Sequence, residues 1–166
     1  SPPRLGGFGI SALLGFAIAL VILLVSWTAQ HTGLLEPKVF AEKAARTGLN
    51  NPGFYLAGAL YWITLNSLME EYVWRWSAFT RFEVLLGRRA AVVAASAGFT
   101  AHHVIALAAQ FNVAVTLVGS TGVFIGGLVW SWLYGRYRSI WPCYVSHAIV
   151  DAPIFWIGYD LLFRQG

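Results

Sequence analysis

Five long apolar runs separated by short polar or basic stretches set the rhythm of this chain. They cover residues 8–28, 54–82, 90–111, 113–134 and 140–163, each near or above the roughly 20 residues that an α-helix needs to cross a bilayer. Alternation with a period of two is absent, so the runs predict helices and not the strands of a barrel. The longest polar stretch, 31–52, carries Glu36, Lys38, Glu42, Lys43 and Arg46 beside Val39, Phe40 and Ala44. That mixture predicts a short amphipathic helix lying at the membrane interface between the first two spans. Asn50-Asn51-Pro52-Gly53 then offers a capping Asn followed by a Pro suited to a first helical turn, so the second span should start there. The expected fold is all-α: a polytopic transmembrane bundle of about five spans in one domain, 1–166, with a motif-bearing core at about 54–163.

Composition agrees with the pattern. Of 166 residues, 58% are hydrophobic and 11% charged, and the mean hydropathy is +0.64, values foreign to a soluble domain. The first run is a poor signal peptide, with only Arg4 before it and Trp27 where a small residue would precede cleavage. The start Ser1-Pro2-Pro3 lacks a methionine, which leaves room for a trimmed or replaced terminus and for further helices ahead of it. The net charge of +4 does not point to nucleic acid, because the basic residues sit at the ends of apolar runs. Arg81, Arg88 and Arg89 precede the third span and Arg136 and Arg138 the fifth, so connectivity puts both groups on one side. By the positive-inside rule that side is cytoplasmic, as in the plasma or inner membrane of a prokaryote. The opposite side holds Lys38, Lys43, Arg46 and Arg164, partly balanced by Glu36, Glu42 and Asp160. Cys143 is alone, which excludes an intrachain disulfide. Gly122 and Gly126 have the GxxxG spacing of close helix packing, and the eight tryptophans are expected in interfacial belts and packing.

Against this background Glu70-Glu71-Tyr72-Val73-Trp74-Arg75 stands out, since ionisable residues inside a span are costly and usually functional. Counting 1.5 Å per residue from the charged ends, Glu70 lies roughly 16 Å deep, His103 about 20 Å and Asp151 about 16 Å. Three spans therefore bring polar groups to one level, with His147 a turn nearer the charged side. His147 and Asp151 share a helix face, as do Glu71 and Arg75. Glu70 points about 100° away from Glu71, so Arg75 is expected to neutralise Glu71 and leave Glu70 facing the histidines. His102 is expected to be a supporting, helix-to-helix hydrogen-bonding residue.

These residues resemble the CAAX prenyl protease and bacteriocin-processing family of intramembrane endopeptidases, whose pattern is EExxxR, FxxxH and HxxxN or HxxxD on successive helices. Here the pattern reads Glu70-Glu71-Tyr72-Val73-Trp74-Arg75, Phe99-Thr100-Ala101-His102-His103 and His147-Ala148-Ile149-Val150-Asp151, and Ser139-Ile140-Trp141-Pro142 is similar to the family's entry to the last helix. The resemblance implies a glutamate-dependent protease without a cofactor or metal. Glu70 with His103 would activate water, His147 and Asp151 would stabilise the oxyanion or orient the scissile carbonyl, and Glu71, Arg75 and His102 would support them. The partners implied are a membrane-associated protein or peptide substrate and membrane lipid, with no nucleic acid. Trp74 and Trp76 stand where family members often have Phe and Gly. Asp151 stands where Asn is common, and an anionic Asp would repel an oxyanion, so it is expected to be protonated or to orient His147.

Other readings of the residues remain open. Zinc could recruit His103, His147 and Glu70 or Asp151, although no HExxH helix is present. A haem could be ligated by His103 and His147, which would leave Glu70 unexplained. A non-catalytic immunity or regulatory protein could use the polar cluster only to pin its bundle together.

Overall fold

The computed structural model describes residues 6–35 and 37–164; Ser1-Pro2-Pro3, Arg4 and Glu36 lie outside the described residues. Those residues contain helices and no strand. Helix α1 is Phe8–His31 and α2 is Pro37–Arg46. Helix α3, residues 52–86, is continuous but not uniform: α-helical at Pro52–Tyr61, π-helical at Trp62–Asn66, α-helical at Ser67–Glu71, π-helical at Tyr72–Phe79 and α-helical at Thr80–Leu86. Helices α4 (Arg88–Gln110), α5 (Val113–Tyr137) and α6 (Ile140–Phe163) complete the chain.

Local chemistry starts these helices. Asn51 accepts a hydrogen bond from the Phe54 N–H at 3.0 Å ahead of Pro52, and Asn112 accepts from Val115 N–H at 2.9 Å at the start of α5, so each side chain satisfies an orphan first-turn donor. The reversal between α3 and α4 is made by Gly87 alone, at φ +80°, a conformation that costs glycine little. Arg88 and Arg89, expected in a charged turn, therefore form the first turn of α4, and Arg136 likewise belongs to the last turn of α5.

α1 is turned inside out relative to a soluble helix. Its buried residues are the small ones, Ser11, Gly15 and Ala19, spaced four apart, while Leu13, Phe16, Leu20 and Leu24 are exposed. That small face lies on α6: Ser11 Oγ donates to the Pro142 carbonyl, and a Cβ on Gly15 would stand 3.0 Å from the Ser146 carbonyl oxygen. Close approach through small residues is how helices associate where lipid offers no hydrophobic drive. The same device joins α4 to α5, though not at the expected positions. A Cβ on Gly122 would meet nothing within 4 Å, whereas one on Gly127 would meet Ser96 at 3.1 Å, because Gly127 and not Gly122 faces α4. Around that contact Phe79, Ala95, Phe99, Trp130, Leu133, Cys143 and Val150 form the core.

α1, α4 and α5 are long and apolar enough to cross a membrane. α2 lies at one end of the bundle, where Lys43 Nζ donates to the Gln110 carbonyl at 2.8 Å and Phe40 stacks on Phe111. At the other end Arg138 donates two hydrogen bonds to Glu83, at 2.5 and 2.7 Å, and Arg88 donates to the Gly135 carbonyl. The two basic connections thus meet at one end of the molecule.

Candidate active site

The α-helical turn Ser67–Glu71, held between the two π segments of α3, points its acidic pair in two directions. Glu71 points into the core. Glu71 and Arg75 are both fully buried, with Arg75 Nη1 3.3 Å from Glu71 Oε1. The guanidinium lies over the rings of Phe99, 4.5 Å from its centroid, and Trp130, at 5.2 Å, and Nη2 reaches the Gly127 carbonyl at 3.5 Å. The absence of a side chain at Gly127 makes room for Ser96, whose Cβ and Cα would lie 3.1 and 3.2 Å from a Cβ there.

Glu71 has a second partner, His147, whose Nδ1 lies 2.8 Å from Glu71 Oε1. A carboxylate paired with Arg75 can only accept, so Nδ1 carries the hydrogen and Nε2 is the atom left for chemistry. The imidazole is almost fully buried and lies flat on the Trp130 indole, at 3.9 Å between centroids and 19° between planes. Trp130 is in turn fixed by its Nε1–H, which donates to Ser146 Oγ at 3.1 Å. Nε2 faces Glu70 Oε2 at 3.6 Å and Asp151 Oδ1 at 3.7 Å.

Glu70, 15% exposed, points the other way and collects imidazoles from α4. His102 Nε2 is 3.1 Å from Glu70 Oε1 and His103 Nε2 is 3.9 Å away, while His103 Nδ1 is tied to its own helix at the Phe99 carbonyl, 3.0 Å. Every residue expected at the site is therefore within one cluster: Glu70, Glu71, Arg75, His102, His103, His147 and Asp151. Their order of closeness differs from expectation. His102, read as a supporting residue, makes the direct contact with Glu70. Glu71, read as the partner of Arg75, also fixes His147. Asp151 is instead held by Ser67, whose Oγ donates to Asp151 Oδ2 at 2.6 Å.

Ser67 and Trp130 are absent from the sequence-based site. Ser67 carried a weak signal, lying one helical turn before Glu70 and Glu71 in an apolar run. Trp130 carried none, because a tryptophan in a span is ordinarily an interfacial or packing residue. Chemically, the cluster sets one carboxylate among three imidazole Nε2 atoms, an arrangement suited to moving a proton to and from water. It also offers a ligand set: one donor atom each from Glu70, His102 and His103 lies within 4.8 Å of the others. That trio differs from the His103, His147 and carboxylate set considered from sequence, taking His102 in place of His147.

A family model described as type II CAAX prenyl endopeptidase Rce1-like matches residues 52–153, which include every residue of the cluster. Among curated proteins and among solved structures, nothing matches.

Proposed function

Because the chain belongs to the Rce1-like family of type II CAAX prenyl endopeptidases, we propose that this integral membrane protein hydrolyses a peptide bond in a membrane-associated protein or peptide, with Glu70 activating the water. In this reading five spans cross the bilayer. Residues 54–82 and α6 join α1, α4 and α5; the charged residues within them include Glu70, Glu71, Arg75 and Asp151 of the site. The end bearing Arg88, Arg89, Arg136 and Arg138 faces the cytoplasm, and α2 lies at the opposite interface.

The Glu70 carboxylate takes a proton from water, and the hydroxide oxygen bonds to the scissile carbonyl carbon. The oxyanion so formed is met by an Nε2–H of His147 in its protonated form, whose ring Glu71 holds at Nδ1 and Asp151 flanks at Nε2. Glu70 then returns the proton to the amide nitrogen, the C–N bond breaks, and carboxylate and amine products leave. His102 holds Oε1 at 3.1 Å, with His103 Nε2 nearby at 3.9 Å, so that Oε2 is presented toward His147. The observation that carries this reading is Glu70 itself: a carboxylate inside the bundle whose partners among the described residues are all imidazoles and none a fixed cation. Every other carboxylate of the site has a structural partner, Arg75 for Glu71 and Ser67 for Asp151.

The test is cleavage of a membrane-anchored CAAX peptide by purified protein. Glu70→Gln keeps the shape but cannot take the proton, and should lower the rate by about 10²- to 10⁴-fold with the fold intact. His103→Ala should be comparably severe. A second reading is favoured by the proximity of Glu70, His102 and His103 donor atoms: these three would hold zinc, which would polarise water or carbonyl. Chelation discriminates. Undiminished activity after phenanthroline supports the glutamate mechanism, whereas stoichiometric zinc, lost with activity and restored by zinc alone, establishes the metal.

A further inference from the structure

His102 touches Glu70 from a position that its own helix does not secure. Its side chain is 43% exposed, and the neighbours it has within α4 are the edge of Phe99, at 5.5 Å and 76°, and the tilted ring of His103, at 4.0 Å and 54°. Neither prevents the imidazole from swinging outward. The one flat contact comes from another helix: the Trp74 indole lies parallel to the ring, 6° between planes and 5.5 Å between centroids. Trp74 can reach that place because α4 has no side chain four residues before His102. A Cβ on Gly98 would stand 2.6 Å from Trp74 Cζ3 and 3.2 Å from Cη2. Residues 98 and 102 share one face of α4, so the indole lies across the gap at Gly98 and against the ring at His102. Glycine in mid-helix is otherwise unfavourable, and here the vacancy it leaves is occupied.

We propose that Trp74 and Gly98 form a slot-and-plate pair whose task is to position His102, holding its Nε2 on the Glu70 carboxylate. This rests on Glu70 being the base of the proposed reaction. Trp74 is one helical turn from Glu70 on the same helix, so base and plate move as one unit, while His102 is brought to both by α4. Parallel stacking fixes the plane of the imidazole and leaves its in-plane Nε2 free to hydrogen-bond. Trp74 is thus a positioning residue, acting through His102, with no contact to the reacting atoms required of it.

The experiment is a rescue cycle read by kcat and KM on the same CAAX peptide, with thermal unfolding in detergent as the control for folding. Trp74→Leu should lower kcat by about 10- to 10²-fold, the scale of a misplaced catalytic group, with KM little changed. Gly98→Ala should do the same by displacing the indole. In Trp74→Phe, whose shorter ring does not extend over residue 98, activity should fall only a few-fold, and adding Gly98→Ala should cost almost nothing more. Equal loss from Gly98→Ala in both backgrounds would overturn the proposal, since the glycine would then serve packing unrelated to Trp74. Full kcat in a folded Trp74→Leu would overturn it as well. Failure of the underlying reading looks different: there Glu70→Gln itself keeps its activity, whereas an inert Glu70→Gln beside an active Trp74→Leu sinks only the positioning role.

Discussion

Breaking the Glu71–Arg75 pair tests whether the core of the site is held by electrostatics. Both side chains are fully buried at 3.3 Å, a separation worth about 5 kcal/mol at an effective dielectric of about 20. Arg75→Met keeps the length and removes the charge, leaving Glu71 with His147 Nδ1 as its one hydrogen-bond partner and with Oε2 unsatisfied. A stranded buried charge of this kind costs about 3–5 kcal/mol. Glu71→Gln should be milder, about 1–3 kcal/mol for an altered buried hydrogen bond, because Arg75 keeps Phe99 and Trp130 beneath its guanidinium. The double variant should be more stable than Arg75→Met alone, since nothing charged is then left behind. Arg75 Nε also lacks a hydrogen-bond partner, so the pair is incompletely satisfied and its joint replacement is tolerable. The assay is equilibrium unfolding in mixed micelles followed by tryptophan fluorescence across the four chains. A coupling of roughly 2 kcal/mol or more is expected between the two sites. Additivity within about 0.5 kcal/mol, the behaviour of independent positions, would refute the argument.

Three further outcomes follow from other contacts. Asp151→Asn should keep substantial activity, because Asn still accepts from Ser67 and can donate to an oxyanion, while Asp151→Leu should lose most of it; loss in both folded variants would show that a carboxylate is required. The Glu83 carboxyl lies beyond the apolar stretch 54–82, and its hydrogen bonds with the Arg138 guanidinium hold it below the ordinary carboxylate value. A depressed carboxyl contributes stability above its unfolded value, about 4.3, and loses it as pH falls through the folded one. The gap in melting temperature between wild type and Arg138→Gln should therefore be constant near neutrality and close in acid; a gap unchanged down to pH 3 would be inconsistent with the bond. Finally, cysteines at Arg89 and Arg136 should label from the cytoplasmic side only, with native Cys143, fully buried, silent. Gly87 is unsuitable for this because its positive φ strains any side chain. Labelling of both from outside intact cells would invert the orientation and leave the site reading untouched.

Properties of contiguous residues were legible without coordinates. Apolar runs marked the helices, with α6 found at its observed bounds, and Asn51-Pro52 announced a start that the structure caps as expected. Polar residues that lipid would reject identified the cluster, because the cost of burying a charge makes each one conspicuous wherever it sits. Direction was legible in part: the spacing paired Glu71 with Arg75 and turned Glu70 toward the histidines, but the finer contacts were not. Angles counted at 3.6 residues per turn assume a uniform helix, and α3 switches to π geometry on both sides of Glu70 and Glu71, where i→i+5 bonding alters the phase. Which histidine meets Glu70, and that Glu71 serves His147 as well as Arg75, follow from that phase and from how α4 and α6 are rotated against α3. Pairings of Ser67 with Asp151, 84 residues apart, and of Trp130 with His147 depend on packing between helices. Such contacts are set by where glycines admit a neighbour, a backbone at Gly15 and Gly127 and the Trp74 indole at Gly98. A glycine's spacing shows that an approach is possible, and only the folded bundle decides which neighbour fills the gap.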